Sequence, residues 1–415
     1  MLDRPTQNTT DDPFERYGLR RLINASGTET TKGAHPVCRE VVDAVSALVP
    51  HSVEMIELQS VACATIARVF GSEAGVVANC SAAGITIAVA ASMTGTDLAL
   101  AEQLPDTRGL KNEIILQRGH NITYGGYITQ NITLTGAKVV EIGAATECGA
   151  YQLATAIGPN TAAALYVVSH HTVQSGLIEL ETFCKVCHQK GVPVIVDGAA
   201  EPDPRIFLKA GADLVITSMQ KAFASLTAAT VAGRLDLVRA CYIQDKGIGR
   251  PMKVGKEGVI ATIAALERWE HLDHAEIRDE RQKRLERAKA KLEALPGLTV
   301  TIEIDATSKL FSRLLLHVDP NRAGITAAEL SQALWDERPS IFVRNLMADI
   351  GLLQVDYRRA DDALTDHITD TIVRIVEAAA VRGPSRAANT PAPNLADGAL
   401  AGILRFPLKM DATRR

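Results

Sequence analysis

Residues 192–221, VPVIVDGAAEPDPRIFLKAGADLVITSMQK, decide the predicted fold of this chain. One apolar run, residues 194–196, ends at Asp197, and a second, residues 214–216, comes shortly before Lys221. Continuous β-branched runs of this kind are typical of strands in a parallel sheet whose two faces are both covered by helices. Ligands of such sheets bind beyond the carboxyl ends of the strands. We therefore expect two strands to present a carboxylate and an amine to one site.

A carboxylate and a lysine amine at one site suit pyridoxal 5′-phosphate (PLP), whose aldehyde binds a lysine and whose pyridine nitrogen needs an anion. In this interpretation Lys221 holds the cofactor and later acts as the base at the substrate Cα. Asp197 keeps the pyridine nitrogen protonated. Ser218 is a candidate ligand for the cofactor phosphate. The small residues that open a helix at Ser81 allow backbone amides to approach the same phosphate.

Four stretches of the chain resemble the fold-type-I PLP enzymes, in particular the group of selenocysteine synthase and D-glucosaminate-6-phosphate ammonia-lyase. Besides residues 192–221 they are INASGT (Ile23 to Thr28), NCSAAGITIAVAASMTGTD (Asn79 to Asp97) and GRPMKVGKEGVIATIAALERW (Gly249 to Trp269). The stretches follow one another in the same order as in that group. One departure lies directly after Lys221, where those enzymes have a Gly-Pro turn and this chain has AFASLTAAT.

The βα rhythm and the resemblance predict an α/β protein of the fold-type-I PLP transferase type. We expect a mainly parallel seven-stranded sheet in a large domain, and a smaller α+β domain towards the C-terminus. The predicted divisions are an N-terminal arm and segment (1–50), the PLP-binding domain (51–260), the small domain with its connecting helix (261–381) and a tail (382–415). A long charged helix is expected to run to about Leu295. The small domain then has predicted strands at 298–304, 312–318, 340–343 and 352–357 and helices at 326–335 and 366–379.

The resemblance also implies roles for residues in loops. His120 lies where these enzymes place a side chain that stacks on the cofactor ring; the alternative is a histidine in a surface loop. His171 could lie against the same ring or the substrate; the alternative is a simple turn residue. The phosphate set adds Ala82 and Cys80 to Ser81 and Ser218. Tyr124 rivals His120 in the same loop and is also a candidate for binding the substrate. His35, His120 or Tyr124 could act as the general acid.

Three basic residues are candidates for binding anions. Arg250 and Lys253 in the GRPMKVGKE loop are expected to clamp the cofactor phosphate of a neighbouring subunit or an acidic substrate. Arg344, at the end of SIFVR, lies where fold-type-I enzymes often hold the substrate α-carboxylate. For Arg250 and Lys253 a solvated loop is the alternative.

Composition excludes several other classes of protein. At 415 residues and 47% hydrophobic the chain can form two domains, and its net charge of −4 lacks the basic surplus of a nucleic-acid-binding protein. The polar opening residues predict no export signal, and no apolar run approaches the ~20 residues of a membrane span. Seven cysteines suit reduced thiols in the cytoplasm. We expect a cytoplasmic homodimer or larger homo-oligomer with shared active sites, an amino-acid substrate, and no nucleic-acid or membrane partner, and we assign no metal ligands.

The predicted reaction is α,β-elimination from a β-hydroxy or sugar-derived amino acid, which yields a 2-keto acid and ammonia. Selenocysteine synthase grips a charged tRNA with an N-terminal domain, whereas only about twenty residues precede INASGT here, so a tRNA substrate is not expected. Reprotonation of the same carbanion would instead make a racemase or epimerase, and cleavage of the Cα–Cβ bond a retro-aldol lyase. A non-catalytic oligomeric module is the alternative outside enzymes.

Overall fold

The computed structural model of the chain describes residues 12–307 and 309–383, together with residues 400, 403, 404 and 406. The chain forms two compact units. The large unit combines residues 35–273 and 305–310, and the small unit combines the described parts of 1–34, 274–304 and 311–415. These units divide the predicted segment 1–50 between them, and they separate at Asp273 rather than at residue 260. The predicted tail, 382–415, lies almost entirely outside the described residues.

Strands occur in both units. In chain order, those of the described residues are β1 (Leu22–Ala25), β2 (Ala74–Ala78), β3 (Glu113–Gln117), β4 (Lys138–Ile142), β5 (Thr161–Val167), β6 (Val194–Asp197), β7 (Leu214–Ser218), β8 (Ala229–Gly233), β9 (Leu298–Ile304), β10 (Ser312–Val318), β11 (Ser340–Val343) and β12 (Leu352–Val355).

The described α-helices follow the same order. They are α1 (Pro13–Arg16), α2 (Arg39–Leu48), α3 (Met55–Phe70), α4 (Ser81–Thr94), α5 (Leu98–Gln103), α6 (Ile128–Thr133), α7 (Ala150–Ala156), α8 (Leu180–His188), α9 (Arg205–Lys209), α10 (Leu235–Ile243), α11 (Lys256–Glu270), α12 (His274–Glu293), α13 (Pro320–Ala323), α14 (Ala327–Asp336) and α15 (Asp362–Arg382). No helix among these residues has the length and apolar character needed to cross a bilayer.

The large unit is built on one seven-stranded sheet with the strand order β2-β8-β7-β6-β5-β3-β4. The five strands from β4 to β7 in this order pair in parallel, and β8 is antiparallel to both β7 and β2. The predicted mainly parallel, seven-stranded sheet is therefore confirmed. Strands β6 and β7 are buried along their whole length, as their uninterrupted apolar runs predict.

Helix α4 covers one face of this sheet at close range. Its side chains are apolar on nearly every side and most are buried, which is typical of a helix enclosed in a core. A Cβ on Gly84 would lie 3.0 Å from the Ile216 side chain and 3.3 Å from that of Val231. The glycine therefore lets the helix lie directly on β7 and β8.

The outer edge of the sheet, strand β2, is protected by side chains of α3. The Gln59 amide donates to the carbonyl of Val77 at 3.0 Å and accepts from its N–H at 3.2 Å. One turn further along the helix, Cys63 Sγ accepts from the N–H of Gly75 at 3.4 Å. These contacts satisfy edge groups that would otherwise be available to another strand.

The small unit contains the antiparallel sheet β12-β10-β9 and the two-stranded parallel pair β1–β11. Helices α12, α14 and α15 contribute to its core, together with residues of β9 and β10. The N-terminal segment belongs to this unit through β1 and through Arg20, whose guanidinium lies 4.8 Å from the Trp335 ring.

The predicted long helix to Leu295 is wrong in one respect, because the structure divides it into α11 and α12 at residues 271–273. Asp273 directly precedes α12 and Glu276 follows three residues later. Aspartate is favoured at a helix N-cap, and a glutamate at that spacing is typical of a helix start. The signal for the break was therefore present in the sequence.

Candidate active site

Strands β6 and β7 place Asp197 and Lys221 at the same end of the large sheet. Asp197 is the last residue of β6, is paired with Ile216 of β7, and is only 7% exposed. Its Oδ1 accepts from the N–H of Ala199 at 3.2 Å. Lys221 lies in the turn after β7, and its positive charge acts on the Asp197 carboxylate. The predicted pair is therefore brought together.

Burial dominates the electrostatics of Asp197. It raises the pKa of this carboxyl from 3.8 to about 6, although the Lys221 charge and the Ala199 N–H both lower it. The carboxylate is thus charged at neutral pH in surroundings that stabilise the charge poorly. A cationic ring nitrogen would offset this cost, which is the role predicted for the residue.

The turn that carries Lys221 is held by main-chain hydrogen bonds on both sides. The N–H of Met219 donates to the carbonyl of Ala228 at 2.9 Å, and the N–H of Ser225 donates to the carbonyl of Met219 at 3.0 Å. Ala224 has a φ of 52°, a left-handed conformation that is unusual for a residue other than glycine. The residues after Lys221 thus form a turn of defined conformation, although they lack the Gly-Pro pair that the enzymes of the resembling group have there.

The start of α4 provides groups suited to a phosphate. The Oγ of Ser81 is buried and has no hydrogen-bond partner in the described part of the chain. Cys80 is the N-cap, and its Sγ accepts from the N–H of Ala83 at 3.5 Å, which leaves the amides of Ser81 and Ala82 at the open helix terminus. An unpaired buried hydroxyl beside these amides fits the phosphate of the predicted cofactor.

Ser218 lies on the same face of the sheet as this helix start. It follows Ile216 by two residues on β7, so its side chain points to the same side. Ile216 contacts α4 at Gly84, three residues beyond Ser81. Ser218 is 4% exposed, and both serines therefore lie where β7 meets the first turn of α4.

His120 lies in the turn after β3, and its ring contacts the end of β5. Its Nδ1 accepts from the N–H of Val167 at 3.2 Å, and Val167 is paired with Asp197 between β5 and β6. The ring is 3% exposed and meets Tyr166 edge-on at 4.5 Å. Burial lowers the pKa of His120 to about 4, so the imidazole is neutral at physiological pH. Tyr166 was missed in the sequence, because the residues on either side of it, Leu165 and Val167, are apolar.

Tyr124 brings the loop after β3 to the same site. Burial is the largest cause and raises the pKa of Tyr124, the hydrogen bond from Asn131 lowers it, and the negative charge of Asp197 raises it further. Asn131 of α6 donates a hydrogen bond to the Tyr124 oxygen. The phenol is therefore protonated at neutral pH and its own proton remains available for another acceptor. Asn131 carried no sequence signal, since a helical asparagine usually faces solvent.

The positions of His171 and His35 are described by their exposure and by their neighbours in the chain. The His171 side chain is exposed beyond the end of β5, with its ring 3.9 Å from that of His170. His35 is 7% exposed and lies three residues before Cys38, whose N–H donates to the carbonyl of Ala224 in the turn after Lys221. Both positions are compatible with the predicted roles, which stay predictions.

Of the anion-binding candidates, Arg250 and Lys253 belong to the large unit and Arg344 belongs to the small unit. Arg250 and Lys253 are exposed and line an open cleft of about 790 Å³ beside the edge strand β2, where Arg250 pairs with Asp245 at 3.2 Å. Arg344 follows β11 in the small unit. Its Nε is buried without a partner among the described residues, and burial lowers its pKa.

Comparison with known proteins gives two relatives that match this chain over similar lengths and with similar sequence identity. D-glucosaminate-6-phosphate ammonia lyase of Salmonella typhimurium (strain 14028s / SGSC 2262) is 34% identical over 371 residues, which cover 89% of this chain and 100% of that protein. The 5′-C-glycyluridine monooxygenase-decarboxylase of a Streptomyces species is 36% identical over 377 residues, which cover 90% of this chain and 93% of that protein.

Solved structures show the same relationship. The structure of D-glucosaminate-6-phosphate ammonia-lyase has a TM-score of 0.79 at 33% identity and covers 90% of this chain and 100% of its own. Serine palmitoyltransferase of Sphingomonas wittichii has a TM-score of 0.55 at 14% identity over 88% of this chain, which shows the shared fold-type-I fold. The model of the SelA family, L-seryl-tRNA selenium transferase, matches residues 57–295, more than half of the sequence. This chain belongs to the SelA family.

Proposed function

We propose that this protein is a PLP-dependent ammonia-lyase that acts on a sugar-derived or β-hydroxy amino acid. The observation that carries the proposal is the pair of Asp197 and Lys221 at the ends of β6 and β7, in a chain 34% identical to an ammonia lyase along that enzyme's whole length. Neither this ammonia lyase nor the monooxygenase-decarboxylase is a racemase or an aldolase, so those alternatives gain no support from them.

The cofactor is pyridoxal 5′-phosphate, and the residues present fit it. Lys221 would bind its aldehyde, Asp197 would face its ring nitrogen, and Ser81, Ala82 and Ser218 would hold its phosphate. When bound, the cofactor supplies an electron sink for the carbanion formed at the substrate Cα. The buried Ser81 hydroxyl has no hydrogen-bond partner among the described residues, and this supports a phosphate site at the start of α4.

The remaining steps are proton transfers by side chains of the chain. Lys221 Nζ takes the Cα proton, and a general acid protonates the β-hydroxyl so that it leaves as water. Hydrolysis of the released enamine consumes one water and gives the 2-keto acid and ammonia. The structure favours Tyr124 over His120 as the acid, because the phenol keeps its proton at neutral pH whereas His120, with a pKa of about 4, is uncharged.

Arg344 is our candidate for binding the substrate carboxylate. Its Nε is buried and has no partner in the part of the chain that the structure describes. Burial, Arg313 and Arg358 lower its pKa more than Asp356 and Glu29 raise it. An anionic ligand would relieve that cost. Arg250 and Lys253 remain candidates for clamping an anion, and we propose that they do so across the interface of a homodimer or larger homo-oligomer.

The second relative favours a second candidate function. A protein 36% identical over 90% of this chain is named a monooxygenase-decarboxylase, so oxygen-dependent loss of a carboxyl group is the runner-up. The two reactions differ in their products, since decarboxylation releases carbon dioxide and consumes oxygen. As for the compartment, the seven unpaired cysteines support the cytoplasm, where thiols stay reduced.

The decisive experiment presents the PLP-loaded protein with D-glucosaminate 6-phosphate, D-glucosaminate, and D- and L-β-hydroxy amino acids. Ammonia, 2-keto acid, carbon dioxide and dissolved oxygen are followed together. We expect ammonia and keto acid in equal amounts from at least one amino acid, with no oxygen uptake. K221A is the matched control and should release neither product. Oxygen uptake with carbon dioxide release would reject the elimination in favour of the runner-up.

A further inference from the structure

We propose that Trp269, at the C-terminal end of α11, is a positioning residue that holds the Lys221 turn and the Asp197 loop in a fixed relation. The inference rests on the proposed cofactor roles of Lys221 and Asp197 but not on the identity of the substrate. Trp269 is 6% exposed and lies in the large unit with both of them.

The first contact of Trp269 is with the turn that carries Lys221. Phe223, two residues after Lys221, is 1% exposed, and its ring centroid lies 5.5 Å from that of Trp269. Phe70 of α3 completes the cluster, 5.9 Å from Phe223 and 6.4 Å from Trp269. Because a buried aromatic ring cannot shift without opening a cavity, Phe223 restricts where the turn can lie.

The second contact of Trp269 is with the loop that follows Asp197. The Arg205 guanidinium lies 4.7 Å from the Trp269 ring. The same guanidinium binds the Asp203 carboxylate through two hydrogen bonds of 2.8 and 2.7 Å, and the N–H of Arg205 adds a third at 3.1 Å. Asp203 is six residues beyond Asp197, so this arrangement ties the loop to one face of the indole.

One indole therefore contacts both segments whose end residues must bind opposite sides of one cofactor. Hydrogen bonds within the sheet fix β6 against β7, but Lys221 lies beyond the last pair of that ladder. The N–H of Ser218 still donates to the carbonyl of Ala199 at 3.2 Å, but Lys221 follows three residues later, so the position of its amine also depends on the turn and the loop outside the sheet. Trp269 is placed to set that position through Phe223 on one side and Arg205 on the other.

The test measures how the PLP-loaded protein binds its cofactor rather than how fast it turns over. W269L and the milder W269F are compared with wild type for the PLP dissociation constant and for the pH midpoint of the visible absorbance of bound PLP. We expect W269L to raise the dissociation constant roughly tenfold and to move the midpoint by about half a pH unit, with W269F intermediate. R205Q should have a smaller effect, and W269L/R205Q should be no worse than W269L, since both act through one contact.

The chain offers a matched control in Trp335, its other tryptophan, which also lies under an arginine but belongs to the small unit. W335F should leave both cofactor measurements unchanged. A merely structural role would lower the unfolding temperature of W269L and W269F while their folded fractions kept wild-type affinity and midpoint, and that result would overturn the inference. A wild-type protein that binds PLP normally but releases no ammonia would reject the proposed reaction and leave this inference intact.

Discussion

Ionisation of the buried Asp197 carboxyl lowers the free energy of unfolding of the chain. Its pKa is about 6 in the folded chain without cofactor and 3.8 in the reference state, so the folded state binds this proton more tightly. The stabilisation is fully present below pH ~4 and is lost as the pH rises through about 6. A shift of this size corresponds to roughly 3 kcal/mol.

We therefore predict that D197N does not share this loss. Relative to D197N, the free energy of unfolding of the cofactor-free wild type should fall by up to about 3 kcal/mol between pH 4 and pH 7.5. Urea denaturation of both proteins at the two pH values measures the difference. Two pH profiles that run parallel would show that Asp197 is solvated rather than buried. The same D197N protein should bind PLP more weakly than wild type at pH 7.5.

Replacing Ser81 by alanine should have different effects on the stability of the cofactor-free chain and on the binding of PLP. Removing an unpaired buried hydroxyl costs little, so S81A should leave the cofactor-free chain within about 1 kcal/mol of wild type or stabilise it. With PLP, the lost hydrogen bond to a phosphate should weaken binding roughly tenfold.

Thermal unfolding of the cofactor-free protein and absorbance titration with PLP measure the two effects of S81A. Ser92 lies on the same helix but donates within it, to the carbonyl of Ala88 at 2.8 Å, so S92A is the matched control. Equal PLP affinities for S81A and S92A would remove Ser81 from the phosphate site.

For single residues, the sequence pattern predicted where Asp197 and Lys221 lie relative to the strands, but not which side chains contact Tyr124 and His120. Asp197 and Lys221 were predictable because Asp197 ends one apolar run and Lys221 follows another shortly after its end, and runs of this kind are typical of buried strands. Tyr166 was not, because its partner His120 precedes it on another strand connection and only folding brings the two together, and Asn131 was not, because nothing in the pattern of the loop shows that its amide binds Tyr124.

Among the elements, α3 has a structural task that its apolar pattern does not reveal. Gln59 forms two hydrogen bonds with Val77 on the edge strand, and it is only 9% exposed. We predict that Q59L costs about 2–3 kcal/mol, because it leaves a buried N–H and a buried carbonyl unpaired. Q59E should cost less, since it can still accept from the N–H of Val77.

Urea denaturation of the cofactor-free protein gives these differences. V61A is the control on the same helix, because Val61 is 54% exposed and should change the stability by less than about 0.5 kcal/mol. A Q59L protein as stable as V61A would mean that the edge of β2 is open to water.

The elements themselves were predictable where the pattern is local. Strands 298–304, 312–318 and 340–343 have the predicted limits, because alternating or continuous apolar runs end there at polar residues. The break between α11 and α12 was missed because mixed charges continue through it, and the Asp273 cap was the weaker signal.

At the scale of the whole chain, local patterns no longer suffice. Leu22 of β1 is paired with Ser340 of β11, a contact between residues more than three hundred positions apart. No periodicity reports such a pairing, and for this reason the N-terminal segment was assigned to a division of its own. The units that form are defined by these long-range contacts rather than by composition.

The proposed sharing of active sites between subunits can be tested by mixing two inactive variants. K221A keeps Arg250 and Lys253, and R250Q/K253Q keeps Lys221. If the clamp acts across an interface, a mixed dimer contains one site with all three residues, and random mixing should restore about a quarter of wild-type activity. The two proteins are co-refolded or co-expressed, and ammonia release is measured against each variant alone.

The same experiment distinguishes a clamp that acts across the interface from one that acts within a single subunit. The second case is the one in which the clamp and Lys221 of the same chain form the site. In that case no mixed dimer has a complete site, and the mixture stays as inactive as its components. Arg250 and Lys253 are exposed and line a cleft beside the edge strand β2 whose lining does not include Lys221, and this favours action in the partner. A control mixture of K221A with K221A/R250Q/K253Q should remain inactive, because neither chain supplies the amine. Recovery in the test mixture alone therefore assigns the two residues to the site of the neighbouring subunit.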